Sequence, residues 1–206
     1  MSVSDQKNKQ IIEAAIAEFQ EKGYAGASMD RISERAQVSK RTVYNHFESK
    51  EALFKAINQC LADQINSALD LPYDGSKPIR TALVELGWAE GELMTNPCFM
   101  SLARMIMSET IRAPELAADM DARITKLSVF RDFIERANRE GRLQVEDPVV
   151  AAKQFLGLIK SRSFYPNLHS GRVPERDEMD QIINESVDLF LAKYGLDDSN
   201  TANKTG

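Results

Sequence analysis

Three observations predict an all-α fold of about nine helices. Apolar residues recur at helical spacing in almost every segment, for example at Ile12, Ala15, Ile16 and Phe19, which fall on one face of the first helix. No segment alternates apolar and polar residues with the period of a β-strand. Glycine and proline separate the helical segments, and several prolines stand where the first turn of a helix tolerates them.

The N-terminal part of the sequence predicts three helices followed by a longer one. Gly23 is placed to end the first helix. Ser28 can cap the second helix and Ser39 the third, because a serine hydroxyl can accept hydrogen bonds from the free amides of the first turn. The fourth helix begins after Ser49 and runs to about Leu69. We therefore expect a small three-helix bundle, with the fourth helix leading out of it.

A break containing Pro72 and Gly75 separates these helices from the rest of the chain. Helical spacing then resumes at about residues 78–94, 97–111, 114–140, 148–165 and 175–193. The predicted organisation is an N-terminal domain over residues 1–55, a larger helical domain over residues 56–195 and a tail over residues 196–206. The tail is polar and rich in small residues, so we expect it to be disordered.

The charge distribution leaves room for a cationic surface near the N-terminus. The formal net charge of the chain is −5, which by itself argues mildly against a nucleic-acid binder. Residues 1–60, however, hold nine Lys and Arg against eight Asp and Glu, so the acidity lies in the rest of the chain. The local balance therefore permits an anion-binding face.

Residues 30–47 have the pattern of a helix-turn-helix, in which a tight turn at residues 36–38 joins two short helices. On a helical wheel, Val43 and Phe47 point inward and anchor the second of these helices. Its outer side carries Arg41, Thr42 and Asn45, with Lys40 and Tyr44 on one flank and His46 on the other.

Three cations stand at predicted helix N-termini, where they oppose the helix dipole. Lys40 and Arg41 occupy the first turn of the third helix, and Lys50 occupies the first turn of the fourth. A cation at such a position costs about 0.3–1 kcal/mol, whereas a phosphate bound to the free amides is favoured. The set predicts phosphate binding, with Tyr44 and His46 as further donors. The alternative is an ordinary solvated surface.

These residues belong to a longer ordered pattern that resembles the TetR/AcrR family of bacterial regulators. The matching residues are Ile11 to Phe19, Gly23-Tyr24, Ser28 to Ile32, Ala36 to Ser39, Thr42 to Phe47 and Ser49 to Leu53. The rest of the chain resembles the family only in length and helicity. The resemblance implies a sequence-specific DNA-binding transcriptional regulator, expected to be a ligand-responsive repressor. Residues 1–55 would then bind DNA, and residues 56–195 would serve regulation and dimerisation.

The resemblance also implies a division of roles along the third helix, which would lie in the major groove of double-stranded DNA. The side chains expected to face bases are Lys40, Arg41, Thr42 and Asn45. Those expected to meet phosphates are Tyr44, His46 and Lys50, with the capping residues Ser28 and Ser39 beside them. Arginine can form paired hydrogen bonds with guanine and asparagine with adenine, so we expect Arg41 and Asn45 to read the sequence.

The family further implies a homodimer paired through residues 148–165 and 175–193, which would read a pseudo-palindromic operator. Apolar stripes along both segments are compatible with this pairing, although packing inside one chain explains most of them. The stripe residues are Ala151, Ala152, Phe155, Leu158 and Ile159 in the first segment, and Met179, Ile182, Ile183, Val187 and Phe190 in the second.

A regulator of this design would bind a small-molecule effector in its C-terminal bundle. Binding would change the distance between the two DNA-binding domains of the dimer. The candidate lining residues are Trp88, Met94, Phe99, Met100, Arg104, Met105, Phe130 and Phe164. Methionine and aromatic residues at helical spacing more often belong to the core than to a ligand site. Arg104 stands in an apolar run, where it would anchor an acidic effector or pair with a carboxylate.

Two other classes of function compete with a DNA-binding regulator. An enzyme is not expected, because the sequence has no GxGxxG, GxSxG, HExxH or GxxxxGK[ST] motif. A helical protein-interaction adaptor that uses the same N-terminal fold stays open. The two differ in salt dependence, since DNA binding weakens steeply as salt rises.

No cofactor and no metal site are expected, because the only histidine besides His46 is His169 and neither has a carboxylate pair nearby. Cys60 and Cys98 lie in apolar helical contexts and are expected to be buried thiols in a reducing compartment. The sequence has no apolar leader and no apolar run of bilayer length. We therefore expect a cytoplasmic protein with no membrane partner.

Overall fold

The structure, a computed structural model, describes residues 3–69, 74–117 and 126–196. The predicted all-α class is confirmed, and these ranges contain no β-strand beyond an isolated bridge between Leu143 and Gly195. None of the helices in these ranges has the length and hydropathy that a membrane span needs. The elements in chain order are α1 (Val3–Gly26), α2 (Met29–Arg35), α3 (Lys40–His46), α4 (Lys50–Ala68), α5 (Ile79–Met94), α6 (Pro97–Arg112), a 3-10 turn (Pro114–Ala117), α7 (Lys126–Arg139), α8 (Pro148–Ser163), α9 (Tyr165–Ser170) and α10 (Arg176–Tyr194).

The chain forms two compact units. The N-terminal unit contains the described residues up to Gln64 together with those from Ser101 to Ala117. The C-terminal unit contains the described residues between 65 and 100 and between 126 and 196. Helix α6 therefore contributes residues to both units. The domain limits expected from the sequence stay predictions.

An aromatic cluster fills the centre of the N-terminal unit. Phe19 of α1 and Phe54 of α4 are almost completely buried, and their ring centroids lie 6.0 Å apart. Tyr24 lies 5.5 Å from the Phe19 ring and 5.4 Å from the Phe54 ring. At Gly23 the backbone leaves the helical region (φ 69°, ψ 165°), as the predicted helix end requires, and one further turn continues to Gly26. This break carries Tyr24 into the cluster.

Helices α5, α8 and α10 pack on one another in the C-terminal unit. Helix α5 approaches α10 closely, because a Cβ added at Gly87 would lie only 2.7 Å from Cγ2 of Ile183. Phe155 of α8 packs edge-on against Phe190 of α10 at 5.1 Å and lies 6.0 Å from Phe130 of α7. These contacts in the core of the unit are apolar, and the approach of α5 to α10 depends on a glycine.

The apolar stripes predicted for dimer contact are used mainly inside the chain. All the stripe residues except Leu158 are buried, with exposures of 0–2%. The intramolecular alternative thus accounts for them, because α8 and α10 turn these sides towards each other and towards α5. The remaining sides of these segments expose the large apolar residues Val150, Tyr165 and Leu189. Dimer contact through these segments stays a prediction.

The segment predicted as one helix over residues 114–140 begins differently. Residues Pro114–Ala117 form a 3-10 turn, in which Leu116 N–H bonds the carbonyl of Ala113 instead of continuing an α-helix. Residues 118–125 lie outside the described part of the chain. The later part of the segment forms α7, in agreement with the prediction.

The end of α10 is tied to the loop that follows α7. Gln144 N–H donates to the carbonyl of Tyr194 at 2.8 Å, next to the bridge between Leu143 and Gly195. Leu143 is only 2% exposed, so the loop is anchored by an apolar contact as well as by the backbone. The predicted disordered tail lies outside the described residues from position 197 onward.

Candidate nucleic-acid interface

The turn between α2 and α3 has the hydrogen bonds of a Schellman motif. Gln37 adopts a left-handed conformation with φ 54°, and its N–H bonds the Glu34 carbonyl at 3.1 Å. Val38 N–H bonds the Ser33 carbonyl at 3.1 Å. These two bonds stop α2 and redirect the chain within three residues, which confirms the tight turn predicted at residues 36–38.

Ser28 and Ser39 cap α2 and α3 as the sequence predicts. The Ser28 hydroxyl accepts a hydrogen bond from Arg31 N–H at 3.3 Å, and the Ser39 hydroxyl accepts one from Thr42 N–H at 3.1 Å. The hydroxyls of Ser39 and Thr42 also lie 2.8 Å apart. These groups therefore have structural partners already, and the DNA contacts predicted for them would come in addition.

Helix α3 is anchored by a narrow apolar side, as the helical wheel predicts. Val43 is fully buried and Phe47, the C-cap residue, is 8% exposed. A helix of seven residues has too little intrinsic stability to persist alone, so these contacts and the cap hold it. The outer side leaves Arg41, Tyr44 and Asn45 exposed and Thr42 and His46 half-buried. The structure thus places the predicted reading residues on one accessible surface.

The two cations that begin α3 differ in their surroundings. The Lys40 ammonium lies 2.6 Å from Oδ2 of Asp30 in α2, and this hydrogen bond raises the pKa of Lys40. Within the described ranges, no carboxylate forms an ion pair with Arg41. Arg41 is therefore available to a nucleic acid directly. The ammonium of Lys40 can contact a nucleic acid only while it also bonds Asp30, or after this ion pair is broken.

Lys50 has protein partners that the sequence did not indicate. Its ammonium donates to the carbonyls of Ala27 and Ala25 at 3.2 and 3.4 Å, and it lies 4.6 Å from the centroid of the Tyr24 ring. Carbonyl oxygens and an aromatic face both attract a cation, so they offset its unfavourable position at the start of α4. Contacts inside the protein therefore explain the position of this lysine without a phosphate, and phosphate binding by Lys50 stays a prediction.

A buried carboxylate that sequence reasoning missed fixes α2 against α1. Glu18 is 1% exposed and accepts hydrogen bonds from Arg31 at 2.5 Å and Arg35 at 3.4 Å. Arg31 also bonds the Gly26 carbonyl, and Arg35 bonds Glu21 at 2.5 Å. We call the three residues Glu18, Arg31 and Arg35 the Glu18 clamp. The available signal was a glutamate on the apolar face of α1 and two arginines one helical turn apart on α2.

The predicted effector-binding residues are divided between the two units. Arg104 and Met105 belong to the N-terminal unit, and the others belong to the C-terminal unit. Arg104 is half-buried. The buried members are Met94, Phe99, Met100, Met105, Phe130 and Phe164, with exposures of 0–8%. Such burial fits the core alternative, and effector binding by these residues stays a prediction.

Trp88 is a half-buried residue in a polar seam between α5 and α10. Its indole N–H donates to Oδ1 of Asp180 at 3.2 Å, and the Arg176 guanidinium lies 4.4 Å from the centroid of its ring. Arg176 in turn bonds Glu92 at 3.1 Å. These contacts account for the position of Trp88 without a ligand.

The described residues contain no group of three or more His, Cys, Asp or Glu arranged to hold a metal ion. Cys60 is half-buried, and burial raises the pKa of its thiol. Cys98 is exposed, so the expectation that it is buried is wrong. It lies in the first turn of α6, where the next two residues, Phe99 and Met100, turn inward in its place.

Two family models match the chain in succession. The model described as "Bacterial regulatory proteins, tetR family" matches residues 11–57, which contain the helix-turn-helix. The model described as "AefR-like transcriptional repressor, C-terminal domain" matches residues 81–196. Together they cover both the helix-turn-helix and the larger helical bundle.

Solved structures and curated proteins agree with this match. The chain is similar to a TetR family transcriptional regulator from Pseudomonas syringae pv. tomato str. DC3000, with 36% identity, coverage of 94% of this chain and 99% of that one, and a TM-score of 0.79. It is similar to the "Flavonoid-responsive Regulator FrrA" with 27% identity, coverage of 93% and 98%, and a TM-score of 0.75. It is 28% identical to the uncharacterized HTH-type transcriptional regulator YhgD of Bacillus subtilis (strain 168), over 76% of this chain and 82% of that one.

Proposed function

Because the chain belongs to the TetR family and is a DNA-binding transcriptional regulator, we propose that it represses transcription by placing α3 in the major groove of a pseudo-palindromic operator. The observation that carries this proposal is the geometry of α3. Its inner side is fixed by Val43 and the Ser39 cap, and its outer side exposes Arg41, Tyr44 and Asn45 together.

Arg41 and Asn45 are assigned to the reading of base edges. Both are exposed, and both side-chain types can form paired hydrogen bonds with a purine in the major groove. Tyr44, which is 51% exposed, and His46 are assigned to phosphates because each presents a donor beside the reading surface. We expect Lys50 to contribute less to phosphate binding than Tyr44 and His46, because its ammonium already donates to the carbonyls of Ala25 and Ala27.

The first experiment selects a preferred duplex from a random-sequence pool with the wild-type protein and compares variants on it. Arg41→Ala or Asn45→Ala should change which sequence is preferred, with a loss of about 1–3 kcal/mol at the affected base pair. Tyr44→Phe should weaken all sequences alike, because a phosphate contact carries no sequence information. Gln6→Ala, at an exposed position of α1, is the control. An unchanged sequence preference in Asn45→Ala would refute the groove assignment.

Salt dependence separates this function from that of a protein-interaction adaptor. Counterions released from DNA make the logarithm of the binding constant fall steeply and linearly with the logarithm of salt concentration. We expect this behaviour for the wild-type protein on duplex DNA. A flat salt dependence would favour the adaptor.

We also propose a cytoplasmic homodimer paired through residues 148–165 and 175–193. TetR-family regulators bind operator DNA and act as dimers, and the exposed Val150, Tyr165 and Leu189 supply apolar surface for such a contact. Leu189→Glu places a charge on this surface and should shift sedimentation towards the monomer, while far-UV circular dichroism stays unchanged. A variant that remains dimeric would exclude Leu189 from the interface.

We further propose that a small molecule bound in the C-terminal unit releases the operator. One similar regulator is described as flavonoid-responsive, so a panel of flavonoids is a reasonable first set of probes. Trp88 is the only tryptophan of the chain and lies in this unit, so its fluorescence can report binding directly. A ligand that changes this fluorescence and weakens operator binding supports the proposal. A ligand that binds without changing operator affinity is not the effector.

A further inference from the structure

The contact between Lys40 and Asp30 lies at the start of the helix that we assign to the groove. The ammonium nitrogen lies 2.6 Å from Oδ2, and the two side chains are 60% and 55% exposed. Glu34, one turn further along α2, adds a second negative charge within electrostatic reach of Lys40. The first turn of α3 therefore carries a cation that already faces carboxylates.

The fold does not require this contact. Exposed ion pairs contribute little to stability, because water and salt screen them. Helix α2 is fixed on α1 by the Glu18 clamp, and α3 is fixed by the Ser39 cap and by the buried Val43. Asp30 also lies in the first turn of α2, where the helix dipole favours a carboxylate. Its ion pair with Lys40 is a separate feature, and the consequence of that pair lies in what Lys40 binds.

We propose that Asp30 is a specificity-determining residue, which keeps Lys40 away from phosphates and leaves it for base edges of the operator. This inference rests on the proposed function, in which α3 lies in the major groove. A phosphate that approaches Lys40 also meets the carboxylate of Asp30, so that attraction and repulsion largely cancel.

A guanine edge behaves differently, because it carries no net charge. The ammonium of Lys40 has three donor hydrogens, so it can keep its bond to Asp30 while it donates to the O6 and N7 atoms of guanine. Sequence-independent binding comes almost entirely from attraction to phosphates. The carboxylate of Asp30 therefore weakens binding to arbitrary DNA more than binding to the operator, and it raises the ratio between the two affinities.

The test compares Asp30→Asn with the wild type on two probes. One is the duplex that the wild-type protein selects from a random-sequence pool, and the other is a duplex of scrambled sequence. Removing the charge allows about one further phosphate contact, so the salt slope on the scrambled duplex should steepen by about 0.9. We expect affinity for the scrambled duplex to rise about three- to tenfold, and affinity for the selected duplex to change less than about twofold.

Two controls isolate the role of Lys40. Glu13→Gln removes the same charge from α1, where Glu13 pairs with Lys9 at 3.9 Å instead of with Lys40. Lys40→Ala, alone and combined with Asp30→Asn, completes a double-mutant cycle. The gain caused by Asp30→Asn should disappear when Lys40 is absent. Thermal unfolding of each variant checks that the fold is retained.

The remaining outcomes separate failure of this inference from failure of the proposed function. Equal tightening by Glu13→Gln, or tightening by Asp30→Asn in the Lys40→Ala background, would mean a general charge effect and would overturn the role of Asp30. An unchanged ratio between the probes in Asp30→Asn, with Arg41→Ala still altering sequence preference, would overturn it and leave α3 in the groove. Unchanged binding in Lys40→Ala, Arg41→Ala and Asn45→Ala alike would overturn the proposed function itself.

Discussion

The two units differ in the contacts that supplement their apolar packing. In the N-terminal unit, charged side chains add to the aromatic cluster in fixing α2 and α4 against α1, through the Glu18 clamp and through the bonds of Lys50 to backbone carbonyls. In the C-terminal unit, α5 meets α10 through an apolar contact so close that only glycine fits at position 87. The N-terminal unit thus adds ionic contacts around α2 and α4, whereas the closest contact between α5 and α10 depends on shape.

The strongest test of this contrast is Gly87→Val in the C-terminal unit. A Cβ at this position already lies 2.7 Å from Cγ2 of Ile183, and two further methyl groups force α5 and α10 apart. We expect the free energy of unfolding to fall by about 3 kcal/mol, at the upper end for an overpacked core. Urea unfolding followed by Trp88 fluorescence measures it. Thr81→Val, on the exposed side of α5, is the control, and a loss as small as that of the control would show that shape does not govern this contact.

The corresponding test in the N-terminal unit is Glu18→Ala. The change removes a buried carboxylate that accepts hydrogen bonds from two arginines, and bonds to charged groups contribute about 1.5–3 kcal/mol. We expect a loss of about 2 kcal/mol in urea unfolding followed by circular dichroism, because both arginines are exposed enough to be hydrated afterwards. Glu13→Ala, an exposed carboxylate on the same helix, should cost little. Equal losses in the two variants would mean that the clamp does not hold α2.

A smaller effect is expected at the turn of the helix-turn-helix. Gln37 has φ 54°, a conformation that glycine adopts without steric cost. Relief of the left-handed conformation contributes about 1–2 kcal/mol, and the greater freedom of glycine in the unfolded chain offsets about 0.4–1 kcal/mol of it. Gln37→Gly should therefore stabilise the protein by about 0.5–1 kcal/mol, measured by thermal unfolding. Gln37→Ala keeps the Cβ and should bring no such gain. A destabilised glycine variant would show that the glutamine side chain contributes more than its backbone costs.

The smallest effect is expected in the pH dependence of stability, at an exposed ionic contact of Glu21 in the N-terminal unit. Hydrogen bonds from Lys22 and Arg35 lower the pKa of Glu21 from 4.5 to about 2. Because the pKa in the folded state is depressed, the contribution of Glu21 is present above pH 4.5 and is lost as the pH falls towards 2. The stability difference between wild type and Glu21→Gln should shrink over this range, as measured by unfolding at each pH. A difference that does not change with pH would show that these bonds do not favour the ionised carboxylate.

The parts of the fold that depend on neighbouring residues were predictable from sequence. The caps at Ser28 and Ser39, the turn at residues 36–38 and the inward Val43 and Phe47 all follow from local hydrogen bonding and helical periodicity. These features also place Arg41 and Asn45 on the outer surface of α3.

The contacts that join distant residues were not predictable in the same way. Glu18 and Arg35 are 17 positions apart, and Lys50 and Ala27 are 23 apart, so their pairing depends on how whole helices pack. Helical periodicity shows that a residue faces inward but not what it meets there. For this reason the sequence identifies the stripes of α8 and α10 as apolar but does not show which helices they contact.

The backbone bridge at Leu143 and Gly195 has a practical consequence for protein engineering. It ties the end of α10 to the loop after α7, with Gln144 bonded to Tyr194. A shortened variant of this regulator therefore has to retain residues up to Gly195, because a cut before Tyr194 removes the backbone partner of Gln144 and uncovers the buried Leu143.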